Sequence, residues 1–539
     1  MLQKLIKRLS IVFVALVLVN VAISPLVVAN ANENSINLSI SSEPPTIDPA
    51  LGTDTTSGAV IDNVFEGLTA VTPDGEIVPA AAESWDISED GLTYTFHLRE
   101  NGKWSNGDPV VAGDFEYGWK RVLNPETISE RAEFLYSIEG AEAYNQSEGA
   151  VEDVKITAVD DYTLEVVLRA PTSYFDEFVA MYTFSPVNPA VVDSNSSWAV
   201  DVSEDYVTNG PFVLSEWNHN SNYVLKKNEH YWDIDNVALD SVNVQIIESE
   251  ATATSEFMAG SLDFLGSPYG TVSLDSIDLF REEGIIQTQA TSAIYWYIMN
   301  VTDPVMSNPN IRKALALAVD RQNIVDNIAK GGQLPALGYV PPMIPGFEED
   351  RGYFEDADYD TAREYLAVGL EELGMEDPSE LTINLSINTS EAHSVIAQDV
   401  QEKWARELGI NIAIDNTEWQ VYLDKLSMLD YQVGRMGWTG KYNDATTYLD
   451  MYRTKDVGNN DTGWESEEYK ALLDESDFEL DEEARYQLLR DAEAVMIDEM
   501  PVIPIYYYSN AFVESDRIQG MDYDAVGRID LKYVTVDGE

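Results

Sequence analysis

His97, His219, His230 and His393 are the only imidazoles in 539 residues, and they stand far apart in the sequence. None sits in the H-E-x-x-H pattern that turns two zinc ligands onto one helix face. Zero cysteines remove disulfides, thiolate metal sites and cysteine nucleophiles. Gly266-Ser-Pro-Tyr-Gly270 has its serine at the wrong position for a G-x-S-x-G elbow. Asp356-Ala-Asp-Tyr-Asp360 imitates the opening of a calcium loop, but no glycine follows and Ala367 stands where the closing glutamate belongs. It reads as a helix start. Neither phosphate-binding glycine motif occurs. With 95 acidic residues, carboxylate pairs can be drawn almost anywhere, so they neither select nor exclude a glycosidase.

A different chemistry is written in Tyr431-Gln-Val-Gly-Arg-Met-Gly-Trp-Thr-Gly-Lys-Tyr-Asn-Asp-Ala-Thr-Thr-Tyr-Leu-Asp450. Glycines within a strand pattern mark a place where another backbone approaches closely. An extended peptide could add there as an extra strand, held by main-chain hydrogen bonds that do not read side chains. The same residues also fit a twisted buried strand with packing aromatics.

The elements that must position this stretch are legible on both sides. Tyr94, Phe96 and Leu98 alternate with polar residues as a half-buried strand does, and Asn101-Gly102 and Asn106-Gly107 mark turns. Asp114 is expected to cap a helix with Phe115, Trp119, Val122 and Leu123 on its apolar face, stopped by Asn124-Pro125. Ile36 to Ile40 alternates as a strand, and Ile61, Val64, Phe65 and Leu68 fall at helical spacing. Lys155 to Val159 and Leu164 to Leu168 flank a turn and predict a hairpin. Further on, Tyr295 to Asn300 reads as a strand and Asn310 to Asp320 as a helix. Strands at Thr382 to Ile387 and Ile410 to Ile414, separated by a helix over Val395 to Leu408, predict a parallel β-α-β unit. A helix from Glu482 to Met496 precedes a last strand at Pro501 to Tyr508.

The chain is longer than one hydrophobic core usually supports, so two or three lobes are expected. Its formal charge of −63 repels phosphate backbones and anionic membranes, which excludes nucleic acid as a partner. The acids are scattered, as in a solvated acidic surface. Lys4, Lys7 and Arg8, the apolar run Leu9 to Val19, and Ala29-Asn30-Ala31 have the layout of a secretory signal cut after Ala31. Loss of those three cations would take the charge to −66. A retained membrane anchor is the competing reading of this segment.

Tyr94 to Pro125, with its Asn-Gly-Lys-Trp-Ser-Asn-Gly-Asp-Pro-Val core, resembles the signature segment of extracytoplasmic solute-binding protein family 5, the peptide receptors of ABC transporters. Similar to that family as well are Ser42 to Pro49, Leu334 to Pro342, Asn416 to Asp424, Tyr431 to Asp450 and Ile505 to Tyr508, in the family's order from about residue 36 to 515. The resemblance implies a periplasmic-binding-protein-like α/β fold of type II: two α/β lobes joined by a hinge, with an extra inserted α+β domain. It divides the chain into a signal peptide (1–31), lobe 1 (32–66, 190–290 and a return segment 505–539), the inserted domain (67–189) and lobe 2 (291–504).

On this resemblance Gly437, Trp438 and Thr439 pair with the ligand main chain, and Thr53, Asp54 and Thr55 face it from the other lobe. Arg435 matches a basic position near the ligand carboxylate, or equally a structural ion pair. Tyr295, Tyr297 and Trp419 match walls of side-chain pockets, or ordinary core. Lys441 and Asn443 close the set. Lys441 stands where the family's Gly-Trp-x-x-Asp-Tyr-Asn pattern has the aspartate that receives the peptide ammonium. A lysine about 4 Å from an ammonium repels it by about 4 kcal/mol at an effective dielectric of about 20. Arg131 is a second cation near the same pocket. Either another acid substitutes, or the ligand presents no free amine there.

The implied function is capture of peptides or peptide-like solutes outside the membrane by a monomer, for delivery to an ABC permease, with no catalysis, metal or cofactor. The absent cysteine also removes the lipid anchor many relatives carry, so release into a periplasm or the cell exterior is expected. A receptor for another solute, and a secreted hydrolase, remain the alternative readings.

Overall fold

A computed structural model describes residues 34–347, 351–417, 419–455, 460–524 and 526–536. The expected signal segment, 1–31, lies outside the described residues, as does the side chain of Trp419.

Three sheets carry the architecture. In the first, strand Ser35–Ile40 lies parallel to Ser241–Ile246, which continues antiparallel to Asn222–Lys227 and Phe212–Asn218. The second is wholly antiparallel: Ala82–Ile87, Thr93–Leu98, Thr163–Val167 and Ile156–Asp160. Tyr94, Phe96 and Leu98 are buried and their neighbours half-exposed, as the alternation predicts. The helix Ala112–Leu123 packs Phe115, Trp119, Val122 and Leu123 inward. It begins three residues earlier than expected. Asp114 is its third residue, not its cap, and its carboxylate turns back to accept from the Val111 N–H and the Trp104 indole, both at 3.0 Å. Those donors would otherwise be buried without a partner.

The third sheet has seven strands, ordered Phe264–Leu265, Val502–Glu514, Gln287–Met299, Val433–Thr439, Thr382–Asn388 and Asn411–Thr417, with Leu334–Pro335 pairing off Val502–Glu514. The β-α-β unit is present as read: Thr382–Asn388 and Asn411–Thr417 run parallel around helix Glu391–Lys403 and the turn Trp404–Leu408. Asn308 caps helix Pro309–Leu317, its side chain accepting from Asn310 and Ile311 N–H, with proline at the first turn. Asp358 caps helix Tyr359–Leu373, so the calcium-like run is a helix start.

Buried apolar residues form two large clusters. One joins Ile36 to Phe264, including the segment 67–189, with Phe512 to Val534 and Tyr442. The other runs from Ile294 to Tyr507. Two 13-residue strands, Gln287–Met299 and Val502–Glu514, pass from one cluster to the other. Their ladder shifts register between Ala290 and Ile294. Such a shift bends and locally loosens a ladder, which suits a crossing between bodies that move.

Candidate functional site: an open strand edge between two cores

Val433–Thr439 lies antiparallel to Gln287–Met299, with Tyr295 opposite Gly437 and Tyr297 opposite Arg435. The Gly440 N–H donates to Ser292 O at 2.6 Å, which sets the alternation of the ladder. Gly440, Trp438 and Met436 turn their main-chain groups toward the long strand, so those of Thr439, Gly437 and Arg435 turn away from it. On that far side Thr382–Asn388 pairs only at Val433 and Gly434. The Arg435 carbonyl is met by the Tyr422 hydroxyl at 2.7 Å. Beyond it, Gly437 and Thr439 face no strand among the described residues. The strand is interior at its start and an open edge at its end.

Glycine at 437 keeps this edge clear: a Cβ there would stand 3.0 Å from Arg435 Nη2 and 3.2 Å from the Tyr508 hydroxyl. Arg435 Nη2 donates to that hydroxyl at 2.9 Å, and the guanidinium carbon lies 4.6 Å from the centre of the Tyr295 ring. Among the described residues no carboxylate comes within ion-pair distance of Arg435. Tyr295 and Tyr297 are fully buried, and Tyr295 stacks on Tyr506 at 4.8 Å. Yet among the described residues the Tyr295 and Tyr297 hydroxyls, Arg435 Nε and His393 Nδ1 meet no hydrogen-bond partner. They cluster around the Tyr295 ring, with the Tyr297 and His393 rings 6.1 and 5.5 Å from it. Burial, and then the charge of Arg435, push the His393 pKa down to about 4, leaving a neutral imidazole beside the guanidinium at neutral pH.

The other end of the edge turns onto the segment 67–189. Lys441 Nζ pairs with Glu133 at 2.7 Å and lies 4.9 Å from the Phe134 ring and 5.0 Å from the Trp438 ring. Asn443 N–H donates to Glu177 at 2.6 Å. Burial pushes that carboxyl up to about 7, against the lowering effect of this bond. Tyr442 stacks on Tyr174 at 4.9 Å and meets Phe178 edge-on. A cavity of about 800 Å³ opens here, lined among others by Glu133, Phe134, Tyr174, Trp438, Lys441 and Tyr442. It lies beyond the strand edge rather than over Gly437.

Thr53 and Thr55 are exposed and Asp54 between them is half-buried. Asp54 is occupied as a helix cap, accepting from Thr56 and Ser57 N–H; burial tends to raise its pKa, and those bonds outweigh it and hold it low. Thr53 O accepts from Arg131 at 2.6 Å, and Arg131 lies over the same Phe134 ring as Lys441. So Tyr295, Tyr297, Arg435 and Gly437 meet on one face of the sheet. Trp438, Lys441 and Asn443 meet the segment 67–189, and Thr53 joins them through Arg131. His393, Glu133, Glu177 and Tyr508 belong to the site as well and were not singled out by the sequence.

The family model described as bacterial extracellular solute-binding proteins, family 5, middle, matches residues 76–460. The chain belongs to that family. It is 44% identical over 499 residues to the oligopeptide-binding protein OppA of Bacillus subtilis, covering 92% of each chain. Against the dipeptide-binding protein DppE of the same organism it is 38% identical over 509 residues, 93% of this chain and 92% of the relative. Among solved structures it superposes on the unliganded open form of the periplasmic murein tripeptide-binding protein MppA with a TM-score of 0.82 and 29% identity, covering 94% of this chain and 98% of the other. With Haemophilus influenzae OppA in complex with RPPGFSPFR the TM-score is 0.75 at 28% identity, covering 94% and 99%. The fold is therefore that of the type II periplasmic peptide-binding proteins, two α/β bodies with an additional segment. The relatives are binding proteins by name, and no described helix is long and apolar enough to cross a membrane.

Proposed function

We propose that this family 5 receptor captures peptides or peptide-like solutes outside the membrane and hands them to an ABC permease, with no bond made or broken. The single observation that carries this is the open edge at Gly437 and Thr439, flanked by the half-buried Arg435 guanidinium, which has no carboxylate partner among the described residues. A peptide laid along the edge would exchange main-chain hydrogen bonds with Gly437 and Thr439, whatever its side chains. Its terminal carboxylate would complete Arg435 Nε, with His393 and the two tyrosine hydroxyls around it. Trp438, the Thr53–Thr55 segment and Asn443 would bound the groove, and closure would bury what lies between.

The working division is a leader, 1–31, removed on export; lobe 1 from 32–66, 190–290 and 505–539; an inserted domain, 67–189; and lobe 2, 291–504. The two core clusters support the separation of lobe 2 from the rest, with its boundaries falling inside the two long strands, while lobe 1 and the inserted domain share one core. Names of the relatives support a peptide cargo: oligopeptides and dipeptides in Bacillus subtilis.

The test is native mass spectrometry after incubation with a mixed pool of di- to pentapeptides, followed by gel filtration. Stoichiometric retention of intact peptide is expected. Release of shortened products, or no retained peptide at all, would contradict the reading.

A further inference from the structure

Arg435, the cation without an acid, is placed in the reading above at the carboxylate end of the ligand. The amino end must then lie toward Thr439 and Lys441, with the ligand antiparallel to Val433–Thr439. That end holds two cations, of which Lys441 is neutralised by Glu133. Lys441 from one body and Arg131 from the other converge on Phe134, in a chain with only 32 lysines and arginines against 95 acids. The nearby acids are committed: Glu133 is ion-paired with Lys441, Asp54 caps a helix, and Glu177 accepts from Asn443 N–H; of the other acids lining the cavity, Glu142 pairs with Arg169 and Asp450 and Asp477 with Arg453, leaving Glu479 without an ion pair among the described residues. Arg131 spends one nitrogen on the carbonyl of Thr53 and has no carboxylate partner among the described residues.

A free ammonium reaching Glu133 would have to share it with Lys441 and so approach a second cation closely. An uncharged group meets no such conflict; an acidic one must keep clear of Glu133 and takes as its counter-ion Arg131, which has no carboxylate partner among the described residues. There is also room for one: the 800 Å³ cavity continues past Lys441 between Phe134, Tyr174, Trp438 and Tyr442, a volume within the range of small-molecule pockets, about 300–1,000 Å³.

We propose that this receptor selects peptides whose amino end carries an acyl or acidic substituent instead of a free ammonium, with Lys441 and Arg131 as the selecting cations and the adjoining cavity as the seat of the substituent. This rests on the peptide-capture reading and specifies its cargo.

Calorimetric titration with tetra-alanine, N-acetyl-tetra-alanine and N-succinyl-tetra-alanine tests it. The succinyl form is expected to bind about tenfold or more tighter than the free amine, the acetyl form between them. Lys441→Asp should reverse that order, and Arg131→Gln should narrow the preference for the succinyl form. A Lys441→Met protein with unchanged melting temperature but no succinyl preference separates recognition from folding. Equal binding of the three forms, or tighter binding of the free amine by the natural protein, overturns the proposal and leaves peptide capture standing. Failure of all three forms to bind overturns both.

Discussion

Replacing Arg435 by methionine is expected to abolish the distinction between a peptide acid and its C-terminal amide while leaving the empty protein as stable as before, or more so. Two physical facts set this expectation. First, a buried charge-assisted bond across a binding interface is worth about 2–5 kcal/mol when one partner is truncated, so affinity for the acid should fall about 30-fold or more. Second, Arg435 has no acid partner among the described residues; its contacts include the Tyr508 hydroxyl and the Tyr295 ring. Exchanging a buried unpaired cation for an apolar chain of similar shape relieves desolvation instead of breaking an ion pair. If Arg435 were a structural residue, the melting temperature would fall and the acid–amide distinction would survive. Titration with a matched acid and amide, beside a thermal melt, separates the two roles.

The opposite behaviour is expected of Asp444. Its carboxylate makes a two-pronged pair with Arg485 at 2.6 and 2.9 Å, both side chains being less than 8% exposed, and also accepts from the Thr446 N–H and hydroxyl. Asp444→Ala leaves the Arg485 guanidinium buried and alone beneath the loop that carries Lys441, Tyr442 and Asn443. Breaking a buried pair on one side costs about 3–5 kcal/mol, which for a lobe of this size lowers the melting temperature by on the order of 10 °C. The double variant Asp444→Ala with Arg485→Met should recover much of that loss. A single variant that melts with the natural protein would refute the anchoring role.

Several parts of this architecture could be read from the chain because they depend on neighbours in sequence. The alternation of Tyr94, Phe96 and Leu98, the β-α-β unit, and the helix starting at Asp358 all follow from local periodicity and capping. Local reasoning failed at Asp114, because its carboxylate serves the Trp104 indole as well as the helix, a tertiary demand that no spacing reveals. Within the site, the glycines of 434–440 announced a close approach, and the structure gives it a location, the side of Gly437 away from the long strand. Glu133 and Glu177 were invisible for a different reason. Each is one acid among 95, and it acquires meaning only when a distant loop brings Lys441 or Asn443 against it. His393 likewise carries no local pattern; it comes into the site only in three dimensions, its ring 5.5 Å from that of Tyr295 and under the charge of Arg435. Tyr295 and Tyr297 are fully buried, as the core reading expects.

Small-angle X-ray scattering of one sample, before and after saturation with a peptide whose binding has been confirmed by calorimetry, addresses the mechanical core of the account. The two long strands that cross between the cores should let the bodies rotate together, so the radius of gyration should contract on binding and return when the ligand is competed away. Superimposable profiles at proven saturation would mean that the peptide is held without closure, and the lobe-closing receptor described here would be wrong.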